Sequence, residues 1–181
     1  MKKTLIALAL AATLPLAANA AERSYTFVEG NYNKIDGAAD GFGLRGSVAF
    51  GDSGFYGLGE YRNFSDRGID LDTWELGAGY ALNLGTSLDL IAEAAYADYD
   101  VVDGHRVSVG LRNSFGSNVE GLLKANYRDM SGRVLGNRIS DNGFSGTAGL
   151  LVKFNPTWAL STEVEFDRGP EIYTVGVRAS F

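Results

Sequence analysis

The chain is 181 residues long, with 22 acidic and 16 basic side chains, 24 glycines, three prolines and no cysteine. The acidic balance argues against nucleic acid as a partner. Without cysteine there is no disulfide framework, so stability must come from backbone pairing and burial.

Lys2 and Lys3 open the chain, an apolar run follows from Leu5 to Leu16, and Ala18-Asn19-Ala20 closes the segment. A charged start, a short apolar middle and an A-x-A end predict a secretory signal peptide over residues 1–20, cleaved before Ala21. The run is shorter than the ~20 residues a spanning helix needs, and no later stretch is apolar enough to span as one. Residues 21–181 then form one domain. Without Lys2 and Lys3 it carries 14 basic and 22 acidic side chains, a net charge of −8. Only Pro156 and Pro170 remain, both outside the apparent strands, as ladder hydrogen bonding requires.

From Tyr25 onward the period is two, the spacing at which alternate side chains face opposite sides of a strand. In chain order, one face reads Val28, Gly30, Tyr32; then Phe42, Leu44, Gly46, Val48; then Phe55, Gly57, Gly59, Tyr61. The next strands show Trp74, Leu76, Ala78, Tyr80, Leu82 and then Leu88, Leu90, Ala92, Ala94, Tyr96. Val107, Val109, Leu111 follow, then Val119, Gly121, Leu123, Ala125, Tyr127. Phe144, Gly146, Ala148, Leu150, Val152, Phe154 mark the eighth strand, and Trp158, Leu160, Thr162, Val164, Phe166 the ninth. The last strand ends the chain with Tyr173, Val175, Val177, Ala179 and Phe181 on its apolar face. Short turns such as Gly51-Asp52-Ser53-Gly54 and Asn155-Pro156-Thr157 alternate with longer connections, the longest predicted over Met130 to Gly143. Loops are also read over Phe64 to Asp70 and Asp100 to Gly104.

The apolar face carries no Asp, Glu, Lys or Arg in any strand. Aromatic residues mark both of its ends: Tyr32, Tyr61, Trp74, Tyr96, Tyr127, Phe166 and Tyr173 at the loop end, and Phe50, Phe55, Tyr80, Phe115, Phe154, Trp158 and Phe181 at the turn end. Two aromatic girdles bounding an uncharged band are what a lipid-facing strand surface requires. A soluble sandwich or lipocalin-like barrel would bury this face and expose the charged one. The fold expected is all-β: a transmembrane antiparallel up-and-down β-barrel of ten strands, or eight if one hairpin is miscounted, with short turns periplasmic and long loops extracellular.

The opposite face carries Glu29, Glu60, Glu75, Asp89, Glu93, Glu120, Glu163 and Glu165 against Arg45, Arg62, Arg106, Arg112, Lys124, Arg128, Lys153 and Arg178. Buried charges need partners. Eight acids against eight bases point to a salt-bridge network filling a narrow lumen, since barrels of about this strand number are nearly filled by side chains. A charged pathway for ions or small solutes is the alternative. The net negative charge then falls on loop residues such as Asp36, Asp40, Asp72, Asp103 and Glu171, read as solvated acids or as oxygen ligands for divalent cations on lipopolysaccharide. The one histidine, His105, lies near Asp98, Asp100 and Asp103, which admits a rim hydrolase, but its parity puts it on the lipid face. No cofactor is expected.

A terminal strand ending on Phe181 with this apolar face resembles the closing strand of Gram-negative outer-membrane β-barrels, whose C-terminal aromatic strand is the signal to the barrel-assembly machinery. The stretches Tyr25-Thr26-Phe27-Val28-Glu29-Gly30-Asn31-Tyr32 and Ala39-Asp40-Gly41-Phe42-Gly43-Leu44-Arg45-Gly46-Ser47 resemble a narrower group, the xanthomonad-type outer-membrane proteins once proposed as activators of plant innate immunity. The resemblance implies a bacterial outer-membrane location and contact with lipid and lipopolysaccharide. It also implies a monomeric barrel with cell-surface roles in adhesion or envelope integrity and no catalytic residues.

Overall fold

The computed structural model describes residues 23–66, 69–99, 102–134, 137–167 and 169–181. The segment expected to be a signal peptide, residues 1–20, lies outside the described residues, as does Asp100.

Ten strands form one closed antiparallel barrel, with no helix among the described residues: β1 (Phe27–Ile35), β2 (Asp40–Ala49), β3 (Phe55–Asp66), β4 (Ile69–Asn83), β5 (Leu88–Tyr99), β6 (Val102–Phe115), β7 (Val119–Val134), β8 (Asn137–Lys153), β9 (Trp158–Phe166) and β10 (Ile172–Ser180). Each strand pairs with its neighbours in sequence, and β1 closes on β10 in the register Phe27↔Ser180 to Ile35↔Ile172. The count settles at ten rather than eight. Closure leaves no open strand edge, which matters where no water is available to the backbone. Tight turns join strands at one end, and Gly51 and Gly54 take φ of 60° and 79° there, a left-handed backbone that side chains with a Cβ rarely adopt.

The apolar parity is the outer surface. Phe42, Leu76, Val107, Val109, Leu123, Leu150, Val175 and Val177 are all exposed, although each would be buried in a soluble core. An apolar band running round the whole wall is far larger than a soluble monomer's patches and fits immersion in lipid. Girdle aromatics bound it, with Phe50, Phe55, Phe115, Phe154 and Trp158 exposed at the turn end and Tyr32, Tyr61, Trp74, Phe166 and Tyr173 at the other.

The connections at that other end differ from expectation. Residues 130–143, read as the longest loop, are mostly strand: the β7–β8 ladder continues through Met130↔Asp141 and Ser131↔Ser140 to Val134↔Asn137. The loops expected over Phe64 to Asp70 and Asp100 to Gly104 are likewise largely hairpin, with β3 running to Asp66, β4 starting at Ile69 and β6 at Val102. Above the girdle both strand faces meet water, so the apolar alternation ends while backbone pairing goes on.

Some rim acids are bound rather than free. Tyr32 Oη donates to Asp40 at 3.1 Å, Tyr61 to Asp72 at 2.7 Å and Tyr96 to Asp103 at 3.0 Å, and Tyr173 donates to Glu171. The girdle phenols are thus tied to carboxylates next to them on the wall.

An Arg at position 123, midway along β7 on the apolar face, meets hydrocarbon. Leu123→Arg should lower stability in lipid vesicles by about 2–4 kcal/mol, read as a shift in the denaturant midpoint. A shift below about half that would contradict the lipid-facing assignment.

Candidate functional site

The inward face holds every charge that the sequence places there. A row of directly opposed residues crosses five neighbouring strands: Arg178 on β10, Glu29 on β1, Arg45 on β2, Glu60 on β3 and Glu75 on β4. Opposite charges directly across a strand pair attract, and like charges repel. The row alternates in sign until Glu60 meets Glu75, and there each acid is claimed by an arginine from elsewhere.

Arg178 Nη2 reaches Glu29 at 2.7 Å, and Arg45 Nη1 lies 3.7 Å from the same carboxylate. Arg45 also bonds Glu60 at 3.2 Å and crosses to Glu163 on β9 at 2.7 Å, so one guanidinium serves three acids. Arg62 takes Glu60 at 2.8 Å. Arg106 comes over from β6 to Glu75 at 2.5 Å, with Glu93 at 3.8 Å, and Lys124 joins Glu93 at 3.2 Å. Toward the turn end, Glu120 receives Arg112 at 2.6 Å and Lys153 at 2.5 Å. Toward the hairpin end, Arg128 contacts Glu165 at 3.4 Å and Asp167 at 2.5 Å. Asp89 pairs with Arg23 at 2.7 Å. Each of the sixteen inward charges makes at least one ion pair, and Glu29 is wholly buried.

Several lumen residues are absent from the sequence reading. Tyr56 donates to Glu93 at 2.9 Å and Tyr99 to Glu75 at 2.9 Å. Their inward parity beside Glu60 and Glu93 is the signal that would have found them. Asn31, Asn33 and Thr174 form a hydrogen-bonded chain leading to Glu29, with links of 3.3, 2.7 and 2.8 Å. Asp167, just past the end of β9, joins the network through Arg128. Arg23 lies ahead of the alternation and parity does not place it, while Tyr25, read as the start of the first strand, precedes β1, which begins at Phe27.

Inward glycines make the room these side chains use. A Cβ on Gly79 would collide with the ring and hydroxyl of Tyr56, and one on Gly176 would press on Ser161 and Glu29. What remains open is a cavity of about 140 Å³ lined by residues such as Arg45, Glu60, Arg106 and Lys124. Ser47 Oγ, Asn126 Oδ1 and Ser161 Oγ, all buried on its walls, have no hydrogen-bond partner among the described residues. Groups of that kind are where internal water binds.

His105 stands on the outer wall, its ring edge-on to Tyr96 at 5.6 Å and its register partner Asp129. The barrel wall separates it from the lumen carboxylates. Among the described residues no group of three or more His, Asp or Glu side chains is arranged to hold a metal ion.

The sequence matches no protein-family model and no curated protein. Among the solved structures to which the backbone is similar are three of porins. One is a KdgM porin, at 14% identity, covering 86% of this chain and 99% of that one with a TM-score of 0.54. The second is the KdgM porin in complex with disordered oligogalacturonate, at 15% identity with the same coverage and a TM-score of 0.55. The third is the NanC porin, at 13% identity, covering 86% and 100% with a TM-score of 0.57. At these identities the likeness is one of fold, a small closed barrel. The narrower resemblance to the xanthomonad-type proteins gains no support from it.

Truncating Arg45 takes a cation from three lumen carboxylates and strands Glu163, while Glu29 keeps Arg178 and Glu60 keeps Arg62. Arg45→Met should destabilise the barrel by about 3 kcal/mol, the usual cost of breaking a buried pair from one side. Glu163→Gln on that background should recover part of the loss. Denaturant titration of the single and double variants measures both, and simple additivity would break the assignment. Gly79→Ala should displace Tyr56 from Glu93 and cost about 1–3 kcal/mol, as overpacking does.

Proposed function

We propose that this protein is an integral barrel of the bacterial outer membrane whose lumen is held shut by an ionic network, and that it acts through the hairpins raised above the outer girdle. The observation that carries this reading is the crosslinked lumen, where Arg45 ties β1, β3 and β9 together and Arg106 ties β4 to β6. A solute wider than water has no clear path without breaking these pairs. The exposed apolar belt, the expected export signal at residues 1–20 and the fold likeness to porins support the outer-membrane location.

On this reading β10, with Tyr173, Val175, Val177, Ala179 and Phe181, presents the assembly signal and is the last strand to be sealed, against β1. Lipid and lipopolysaccharide surround a single barrel. The long β7–β8 hairpin and its neighbours are the surface offered to the outside, suited to adhesion or envelope integrity. Catalysis does not enter this reading, because His105 and the lumen acids lie on opposite sides of the wall.

A narrow pathway for water or small ions is the second reading. It is favoured by the partnerless oxygens of Ser47, Asn126 and Ser161 along the cavity and by the fold shared with KdgM and NanC porins.

The two separate in a planar bilayer holding the refolded residues 21–181. The closed-lumen reading expects no discrete current steps. Reproducible steps whose ion selectivity changes in Lys124→Gln would overturn it in favour of the pore.

A further inference from the structure

The segment before β1 does not lead away from the barrel. From Phe27, residues 23–26 turn in over the turn-end mouth, and the Arg23 and Tyr25 side chains reach β5 while Arg112 reaches back from β6. In a ring of ten strands β6 is directly opposite β1. Four extended residues reach at most about 13 Å, less than the width of a ten-stranded ring, so the long side chains of Arg23 and Arg112 complete the span.

Every part of the crossing is fastened. At the near wall, Thr26 Oγ1 accepts from the Ala49 amide at 3.0 Å and its carbonyl from the Phe181 amide at 2.9 Å. Ser24 Oγ is held at the same wall, donating to the Phe181 carbonyl at 2.8 Å, while the Ser24 carbonyl accepts at 3.0 Å from Arg112 Nη1 reaching over from β6. The Tyr25 ring stacks on Tyr56 at 4.8 Å, with the Arg112 guanidinium 4.7 Å from its centroid. At the far wall, Arg23 grips Asp89 with two nitrogens at 2.7 and 2.9 Å and donates to the Thr86 carbonyl at 3.1 Å, while Tyr25 Oη donates to Asp89 at 2.9 Å. The Arg23 and Asp89 side chains are only 8% and 5% exposed.

None of these contacts is needed to close the strand ladder, since β1 pairs with β2 and β10 from Phe27 on. Their common result is a bar of backbone and interlocked side chains over the turn-end mouth beside Glu120 and Arg112. We propose that residues 23–26 are a latch that shuts the turn-end mouth, and that its release exposes the lumen from that side. The device shares Asp89 and Arg112 with the turn end of the ionic network but not its Arg45 and Arg106 crosslinks, so the lumen has two closures in series. It extends the closed-lumen reading, and its test reads the mouth rather than the current.

The chain has no cysteine, so one introduced thiol reports alone. Ser47 faces the lumen behind the latch, opposite Phe27 in the register, and its hydroxyl has no partner, so Ser47→Cys should fold as the parent does. Its rate of modification by a small cationic thiosulfonate is measured on the folded barrel in detergent. Arg23→Ala with Tyr25→Ala lies outside the strands, and Asp89→Asn weakens the far anchor while keeping its shape. Both should speed modification about tenfold or more, since losing one charge-assisted hydrogen bond shifts an opening equilibrium by about that factor. Unchanged rates in both would overturn the latch. Single-channel recording of the same variants separates the two ideas. Faster modification without current supports the latch and leaves the ionic network as the second closure. Faster modification with current supports the latch and overturns the closed-lumen reading.

Discussion

Hydrocarbon offers nothing to an N–H or a C=O, so a chain crossing it in strands must satisfy each backbone group from a neighbouring strand. The pairing of β1 with β10 is where this constraint is met or lost. All other ladders join strands adjacent in sequence through a turn or hairpin, whereas this one brings together residues about 150 positions apart. It therefore closes only when the whole chain is in place. The apolar face of β10 and its terminal Phe181 stand at that seam, and the Phe181 amide is itself bound to the Thr26 carbonyl.

Closure creates the second constraint. A ring of ten strands encloses a space narrow enough that inward side chains touch across it, so charges there lose bulk water and must find each other. The row from Arg178 to Glu75 shows how register and charge are coupled. A slip of one residue in β2 would carry Arg45 to the lipid face and leave Glu29, Glu60 and Glu163 without it. The network thus contributes more to a unique register than its net energy suggests, because each wrong register leaves several charges exposed to lipid or unpaired. Inward glycines such as Gly79 belong to the same scheme, supplying the space for Tyr56 that a narrow ring otherwise lacks.

Much of this was legible in the sequence, for physical reasons. Within the membrane the two strand faces meet opposite environments, so a period of two is enforced residue by residue, and parity separates Leu123 from Lys124 without ambiguity. Above the girdle both faces meet water, and the alternation no longer marks a strand. That is why residues 130–143 read as a loop while their backbones pair. Parity also assigns a charge to the lumen without saying which partner it meets. Arg45 and Glu163 are 118 positions apart and lie on strands that are not neighbours, so only the closed ring brings them together. Arg23 and Tyr25 escaped for a third reason: outside any strand, their placement depends on what the mouth opposite offers, here Asp89, Arg112 and Tyr56.

The two ends of the barrel are built to different rules. At the turn end the connections are tight, Ser24 and Thr26 are tied to Phe181, and the side chains of Arg23 and Arg112 span the opening. At the other end, strands rise past the girdle as paired ribbons, and the phenols of Tyr32, Tyr61 and Tyr96 are tied to acids beside them. A barrel that served only as an inert wall would need neither the crossing segment nor the raised hairpins, because the ladder is already complete in the membrane. The added structure lies at the two places where the molecule meets water, with the ionic network between them. Anything bound by the hairpins is therefore separated from the latch by a stack of paired charges. Arg45 and Arg106, each bridging strands that do not touch, are the side chains through which a disturbance at one end would have to pass to reach the other.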